Sequence, residues 1–173
     1  MTHPFHKRLA KEFKELQKNK LTGVKLVFHD ENLSKFIFHL KFDGNKIYPD
    51  TECYHLSIDI TKDYPLDSPR VQFILYDPIN LDEEQDSNED VQIIEGIPKI
   101  PTHPHVYSNG HICLNLLGED WTPACSIESI VLSIQSMLAN NDINQKPPDD
   151  DNYVKHAPKD PKLTNWYYHD DNV

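Results

Sequence analysis

Apolar and polar positions recur along this chain with two different periods. Near the start the period is helical: Phe5, Leu9, Phe13 and Leu16 share one face, and Lys7, Lys11, Lys14 and Lys18 share a second. The spacing predicts an amphipathic helix with a basic ridge. Four strand patterns follow. Val24 to His29 is a short apolar run. Phe36, Phe38, Leu40 and Phe42 alternate with Lys35, Ile37, His39 and Lys41. Tyr54, Leu56, Ile58 and Ile60 alternate with Cys53, His55, Ser57 and Asp59, and Val71, Phe73 and Leu75 with Gln72, Ile74 and Tyr76. A period of two over successive short runs predicts an antiparallel meander. Asp43-Gly44-Asn45 predicts a hairpin turn, and Tyr64-Pro65-Leu66-Asp67-Ser68-Pro69 a proline-pinned loop before the last strand.

Beyond the strands the pattern changes twice. Residues 77–95 hold eight acidic side chains and neither lysine nor arginine, so they read as a flexible acidic loop. Residues 97–125 lack periodicity and contain four prolines, which predicts ordered irregular chain. A second helix is expected after Ser126, a good N-cap, with Ile127, Ile130, Val131, Ile134 and Leu138 on its apolar face. Lys146-Pro147-Pro148 ends that helical stretch. Residues 145–173 form a polar tail that runs through Asp149, Asp150 and Asp151 to Trp166, Tyr167 and Tyr168.

Composition narrows the class. With 173 residues, 38% of them hydrophobic, the chain suits one domain with a true core. Its net charge of −11 speaks against a general nucleic-acid binder, whose affinity comes from neutralising phosphates. The charge is uneven, because residues 1–25 carry seven basic side chains against two acidic ones. That ridge is either a solvated face or a docking surface for an acidic partner. Three cysteines, Cys53, Cys113 and Cys125, cannot all pair within the chain, which points to a reducing compartment. Neither a secretory leader nor a membrane span is expected. The expected location is the cytoplasm and nucleus.

The segment 103–117, HPHVYSNGHICLNLL, places His103, His105, His111 and Cys113 within eleven residues. Three readings compete. Imidazole and thiolate are zinc ligands, but the spacing fits a zinc site badly and Cys113 has no second cysteine nearby. The residues can instead shape a buried turn around an inert thiol. Thirdly, Cys113 can be a nucleophile served by a neighbouring histidine, as in a hydrolase.

The same residues resemble the active-site segment of ubiquitin-conjugating enzymes. His103-Pro104-His105 is similar to that family's His-Pro-Asn, and Gly110-His111-Ile112-Cys113-Leu114 to the stretch around its catalytic cysteine. Tyr64-Pro65-Leu66 with Ser68-Pro69 resembles its Tyr-Pro-Phe loop, and Trp121-Thr122-Pro123-Ala124 its Trp-Ser-Pro-Ala loop. The resemblance covers residues 5–170. It is nearest to the W type, which modifies protein N-termini and also has histidine in the asparagine position. HPHVYSNGHICL, Glu119-Asp120-Trp121 and the tail from Trp166 to Asp171 carry that likeness. The acidic stretch 77–95 does not, since family members have a shorter link there.

The resemblance implies an α+β fold: an N-terminal helix, a four-stranded antiparallel meander, an active-site loop, a central helix and a C-terminal helical segment. It implies that Cys113 accepts ubiquitin as a thioester from an activating enzyme and passes it to substrate amines. His105 would be the oxyanion donor or a brace of the loop. Asn115 would contact the incoming group or cap the turn, and Asp150 would orient the amine. Lys7, Arg8 and Lys11 would meet the activating enzyme, and Leu66, Pro123 and Ala124 a RING or U-box ligase. Ubiquitin and protein substrates complete the expected partners; no metal or other cofactor is expected. Conjugation of another ubiquitin-like modifier is an alternative, and so is a non-catalytic ubiquitin-binding variant of the fold, against which Cys113 itself argues.

Overall fold

The computed structural model describes residues 3–77 and 95–166. The first helical stripe becomes α1 (His6–Lys18), and the four strand patterns become β1 (Val24–His29), β2 (Lys35–Leu40), β3 (Glu52–Asp59) and β4 (Arg70–Ile74). They pair antiparallel in the order β1-β2-β3-β4. The acidic stretch lies outside the described residues except for its ends, Asp77 and Glu95.

Two local expectations change. Within the prolines of 97–125 lies a short strand, β5 (Ile97–Lys99), parallel to the start of β3. Three residues around Pro98 are too few to show a period, so only the partner strand defines it. Asp43-Gly44-Asn45 is not a tight hairpin turn. The Asn45 side chain accepts the backbone N–H groups of Ile47 and Tyr48, and Asp50 accepts that of Gly44, so the β2–β3 link is a wide loop tied by its own side chains.

Side-chain alternation sets the core. Phe36, Phe38 and Leu40 from β2, and Tyr54, Leu56 and Ile58 from β3, join one buried cluster with α2 (Ile127–Ala139). On α2, Ile127, Ile130, Val131, Ile134 and Leu138 are fully buried. Ser126 caps this helix as expected. Its hydroxyl accepts the Ser129 N–H at 3.1 Å, and the Ser129 hydroxyl accepts the Ser126 N–H at 2.8 Å.

One carboxylate on α1 organises three elements. Glu12 is buried and accepts the Tyr64 hydroxyl at 2.8 Å and the Ile127 N–H at 3.0 Å. Arg8, one turn earlier, completes its neutralisation at 3.4 Å. The proline-pinned loop, the start of α2 and α1 are thereby held in one geometry. In the C-terminal stretch, a third helix, α3 (Asp150–His156), packs on the 103–113 segment, and a 3-10 turn (Pro161–Leu163) packs back toward β4. The Arg70–Asp160 ion pair, at 2.6 Å, fastens that turn to the sheet. Tyr167 and Tyr168 lie outside the described residues.

Candidate active site

The segment between β5 and α2 folds into a small hairpin of its own. Tyr107 N–H donates to the His111 carbonyl and Gly110 N–H to the Tyr107 carbonyl, each at 2.9 Å. Bridges His103–Val106 and Val106–Ile112 continue it. Cys113 N–H then donates to the His105 carbonyl at 2.8 Å. His105 and Cys113, eight positions apart in sequence, are thus backbone neighbours. Gly110 is required where the hairpin meets the sheet. Its φ is +91°, its carbonyl accepts the Phe73 N–H at 2.9 Å, and a Cβ would sit 2.0 Å from the Phe73 carbonyl oxygen.

The histidines of the segment do different things. His103 is buried, and its Nδ1 accepts the His105 backbone N–H at 2.9 Å. Burial, and then the neighbouring His105, hold it down to a pKa of about 4, so it is neutral at physiological pH. His111 is buried with its Nδ1 2.8 Å from the Tyr153 hydroxyl, and burial lowers its pKa too. His105 is half-buried. Pro104, between them, is half-buried in the bend.

Cys113 is half-buried. Burial raises its pKa, and the negative charge of Asp149 raises it further. The free thiol is therefore kept protonated rather than held as a ready thiolate. Asp149 is positioned by the Tyr107 hydroxyl, which donates to it at 3.0 Å. Tyr107 stacks on Tyr153 with 3.8 Å between ring centroids, and Trp166 packs 5.5 Å from Tyr153. These aromatics join the hairpin to α3 and the chain after it.

The carboxylate whose field reaches Cys113 is thus Asp149, and Asp150 is placed otherwise. Asp150 is buried and accepts both the backbone N–H and the hydroxyl of Ser108, at 2.7 and 2.8 Å. Asp149 is the residue just before α3, held by the Tyr107 hydroxyl, while Asp150, the first residue of the helix, is held at the hairpin turn. Asn115 is exposed at the start of a 3-10 turn (Asn115–Leu117), where its backbone carbonyl accepts the N–H groups of Gly118 and Asp120. Tyr107, Tyr153 and Asp149 are the neighbours that the sequence reading missed. The signal for Tyr107 was present, inside HPHVYSNGHICL, but nothing in the linear chain linked it to residues forty positions on.

The model of the family described as "Ubiquitin-conjugating enzyme" matches residues 8–167. The chain belongs to the ubiquitin-conjugating enzyme family. The enzyme is a transferase of that family. It is 37% identical to the probable ubiquitin-conjugating enzyme E2 W-A of Danio rerio over 95% of each chain. It is equally identical to the probable E2 W of Dictyostelium discoideum over the full length of both. Among solved structures, the conjugating enzyme UbcA1 of Agrocybe aegerita superposes with a TM-score of 0.71 at 36% identity, covering 90% of this chain and 96% of that one.

Two further regions of the enzyme carry sequence expectations. Lys7 and Lys11 are exposed along α1. Arg8 instead turns inward, donating to the carbonyls of Pro123 and Cys125 and lying 5.6 Å over the Tyr64 ring. Leu66, Pro123 and Ala124 are exposed on two loops. The loops are joined by the Trp121 indole N–H, which donates to the Pro65 carbonyl at 2.9 Å, and by the Ser68 hydroxyl to the Leu117 carbonyl at 2.7 Å.

Proposed function

We propose that Cys113 carries ubiquitin as a thioester and hands it to amines, protein N-terminal α-amines included. The carrying observation is the half-exposed Cys113 at the end of a hairpin whose backbone sets His105 beside it, within reach of the charge of Asp149. In loading, the Cys113 sulfur attacks the thioester carbonyl that joins ubiquitin to the activating enzyme. A new C–S bond forms, the old one breaks, and the proton passes to the departing thiol. Bond type is unchanged, so the exchange is near balance; the thiol gives up its proton as it attacks, since the thiolate is the nucleophile.

In transfer, an amine nitrogen attacks the same carbonyl carbon, the C–S bond breaks and Cys113 regains its proton. The transient oxyanion needs a donor, and one well-placed donor contributes about 3 kcal/mol. His105 is the candidate donor, because its backbone carbonyl is bonded to Cys113 N–H. Asp149 is suited to accept a hydrogen bond from the incoming amine and to draw its proton. An α-amine, with a pKa near 7.7–8 against about 10.4 for lysine, is far more often unprotonated at neutral pH. That supports the preference for N-termini, together with the W-type names of the relatives. A RING or U-box ligase would grip Leu66, Pro123 and Ala124, and the activating enzyme would read Lys7 and Lys11.

Charging with activating enzyme, ATP and ubiquitin tests the reading. A reductant-sensitive adduct is expected, absent in Cys113→Ala; an adduct that persists in that variant overturns it. Offered free lysine and a peptide with a free N-terminus, the charged enzyme should discharge onto the peptide, and equal discharge refutes the N-terminal preference. Loading with another modifier in place of ubiquitin distinguishes the cargo.

A further inference from the structure

A second group of ligand-type side chains lies away from Cys113. In the β2–β3 pairing His39 is directly opposite His55, and Cys53 precedes His55 by two positions on β3. Strand alternation puts all three on the same side of the sheet, opposite the side that bears Phe38, Leu56 and α2. His39, Cys53 and His55 are at most 5% exposed, and one donor atom from each lies within 4.8 Å of the others. Among the described residues this is the group of histidine, cysteine and carboxylate donors that comes so close.

Nothing in the thioester chemistry uses these groups. His39 Nδ1 and His55 Nε2 are 3.1 Å apart, so the two rings share one proton. His55 is fully buried, yet its Nδ1 has no hydrogen-bond partner. An unmet buried polar atom is costly, and an apolar side chain would fill the same space without that penalty. Gly96 closes over Cys53, and the Tyr76 ring lies 5.2 Å from His55, so the group is shielded from water.

We propose that His39, Cys53 and His55 form a buried three-ligand site for a single thiophilic metal ion, copper(I). Two imidazoles and a thiolate are a donor set that soft ions select. Charge decides between the candidates of that class. Copper(I) with one thiolate is neutral, which a dry site tolerates, whereas zinc would leave a net positive charge and seek a fourth ligand. Lys25, paired across the strands with His39, and Lys41 lie close by and add to that penalty. Glu95 partly offsets it, 3.9 Å from Lys41. Binding forms a Cu–S bond, and the Cys53 thiol proton leaves to solvent.

The test uses the full chain with Cys113→Ser and Cys125→Ser, which leaves Cys53 as the sole thiol. It is refolded with copper(I) under reducing, oxygen-free conditions and challenged with a chelating competitor. One equivalent should be retained, with a rise in melting temperature. Cys53→Ser should abolish retention, and His39→Gln should weaken it at least about tenfold, the scale of losing even an indirect contact at a metal site. Far-UV circular dichroism confirms that each variant is folded, and His55→Gln serves if His39→Gln is not. Copper(I) that is not retained, retention unchanged in folded Cys53→Ser, or uptake of zinc in place of copper(I) would overturn the proposal.

Discussion

At Cys113 burial and charge act in the same direction. Both hold the sulfur protonated, and Asp149 supplies the charge. Replacing Asp149 by asparagine keeps an acceptor for Tyr107 and removes the charge. Two rates should then move in opposite directions. Alkylation of the free thiol near neutral pH should speed up, because more of it is thiolate. Transfer of ubiquitin to an amine should slow by about tenfold or more if Asp149 receives the amine's proton as proposed. If both rates slow together, the aspartate is only a brace. His103 gives a second prediction at this scale. The unfolded imidazole takes up a proton near pH 6.5 and the folded one only near 4. Between those values the unfolded chain binds more protons. Stability present above pH 6.5 is therefore lost as pH falls toward 4, by about 1.4 kcal/mol for each pH unit. Urea unfolding at pH 7 and pH 5 should show the loss, and His103→Asn, which cannot titrate, should reduce it. Because His111 is also lowered by burial, some of the slope will remain.

Between elements, Glu12 is the most consequential polar side chain outside the active hairpin. It receives bonds from the proline-pinned loop and from the first residue of α2 while sitting on α1. Glu12→Ala leaves the buried Ile127 N–H and the Tyr64 hydroxyl without that acceptor. The expected cost is about 1–3 kcal/mol for each orphaned group, partly recovered where water enters. It reads out as a lower urea midpoint with an unchanged slope. Arg8 belongs to the same network through the Pro123 and Cys125 carbonyls. Its replacement should disturb the Pro123–Ala124 loop as well as the basic ridge, whereas Lys7 and Lys11 are free of such contacts with that loop. Tyr107, Tyr153 and Trp166 make a comparable joint on the other side of Cys113, where the C-terminal stretch gives the cysteine its acidic neighbour.

For the whole molecule, charge is the property to vary. The chain carries −11 overall, yet α1 presents exposed lysines. A double charge reversal, Lys7→Glu with Lys11→Glu, should slow loading by roughly tenfold at low salt, within the range that electrostatic steering covers. The deficit should shrink as salt is raised past about 0.15 M, where charges more than about 8 Å apart are screened. The melting temperature should hardly move, because both side chains are exposed. A deficit that salt leaves unchanged would mean the ridge is read by shape rather than by field.

The amino-acid sequence by itself determined the parts whose signal is local and periodic. The helical stripe from Phe5, the alternation of the four strands and the Ser126 cap are legible because each residue's partner lies within a turn or across a pleat. The HPH and GHICL segments are legible through their resemblance to a known active-site segment; the tight approach of Gly110 to Phe73 is seen only in the fold. Only tertiary structure decided what rests on distant partners. β5 exists because β3 pairs with it. The charge of Asp149 rather than of Asp150 acts on the cysteine because Tyr107 holds the first and Ser108 the second, contacts that no periodicity encodes. The His39–Cys53–His55 group arises from one strand register, and a slip of a single residue would put His39 and His55 on opposite faces.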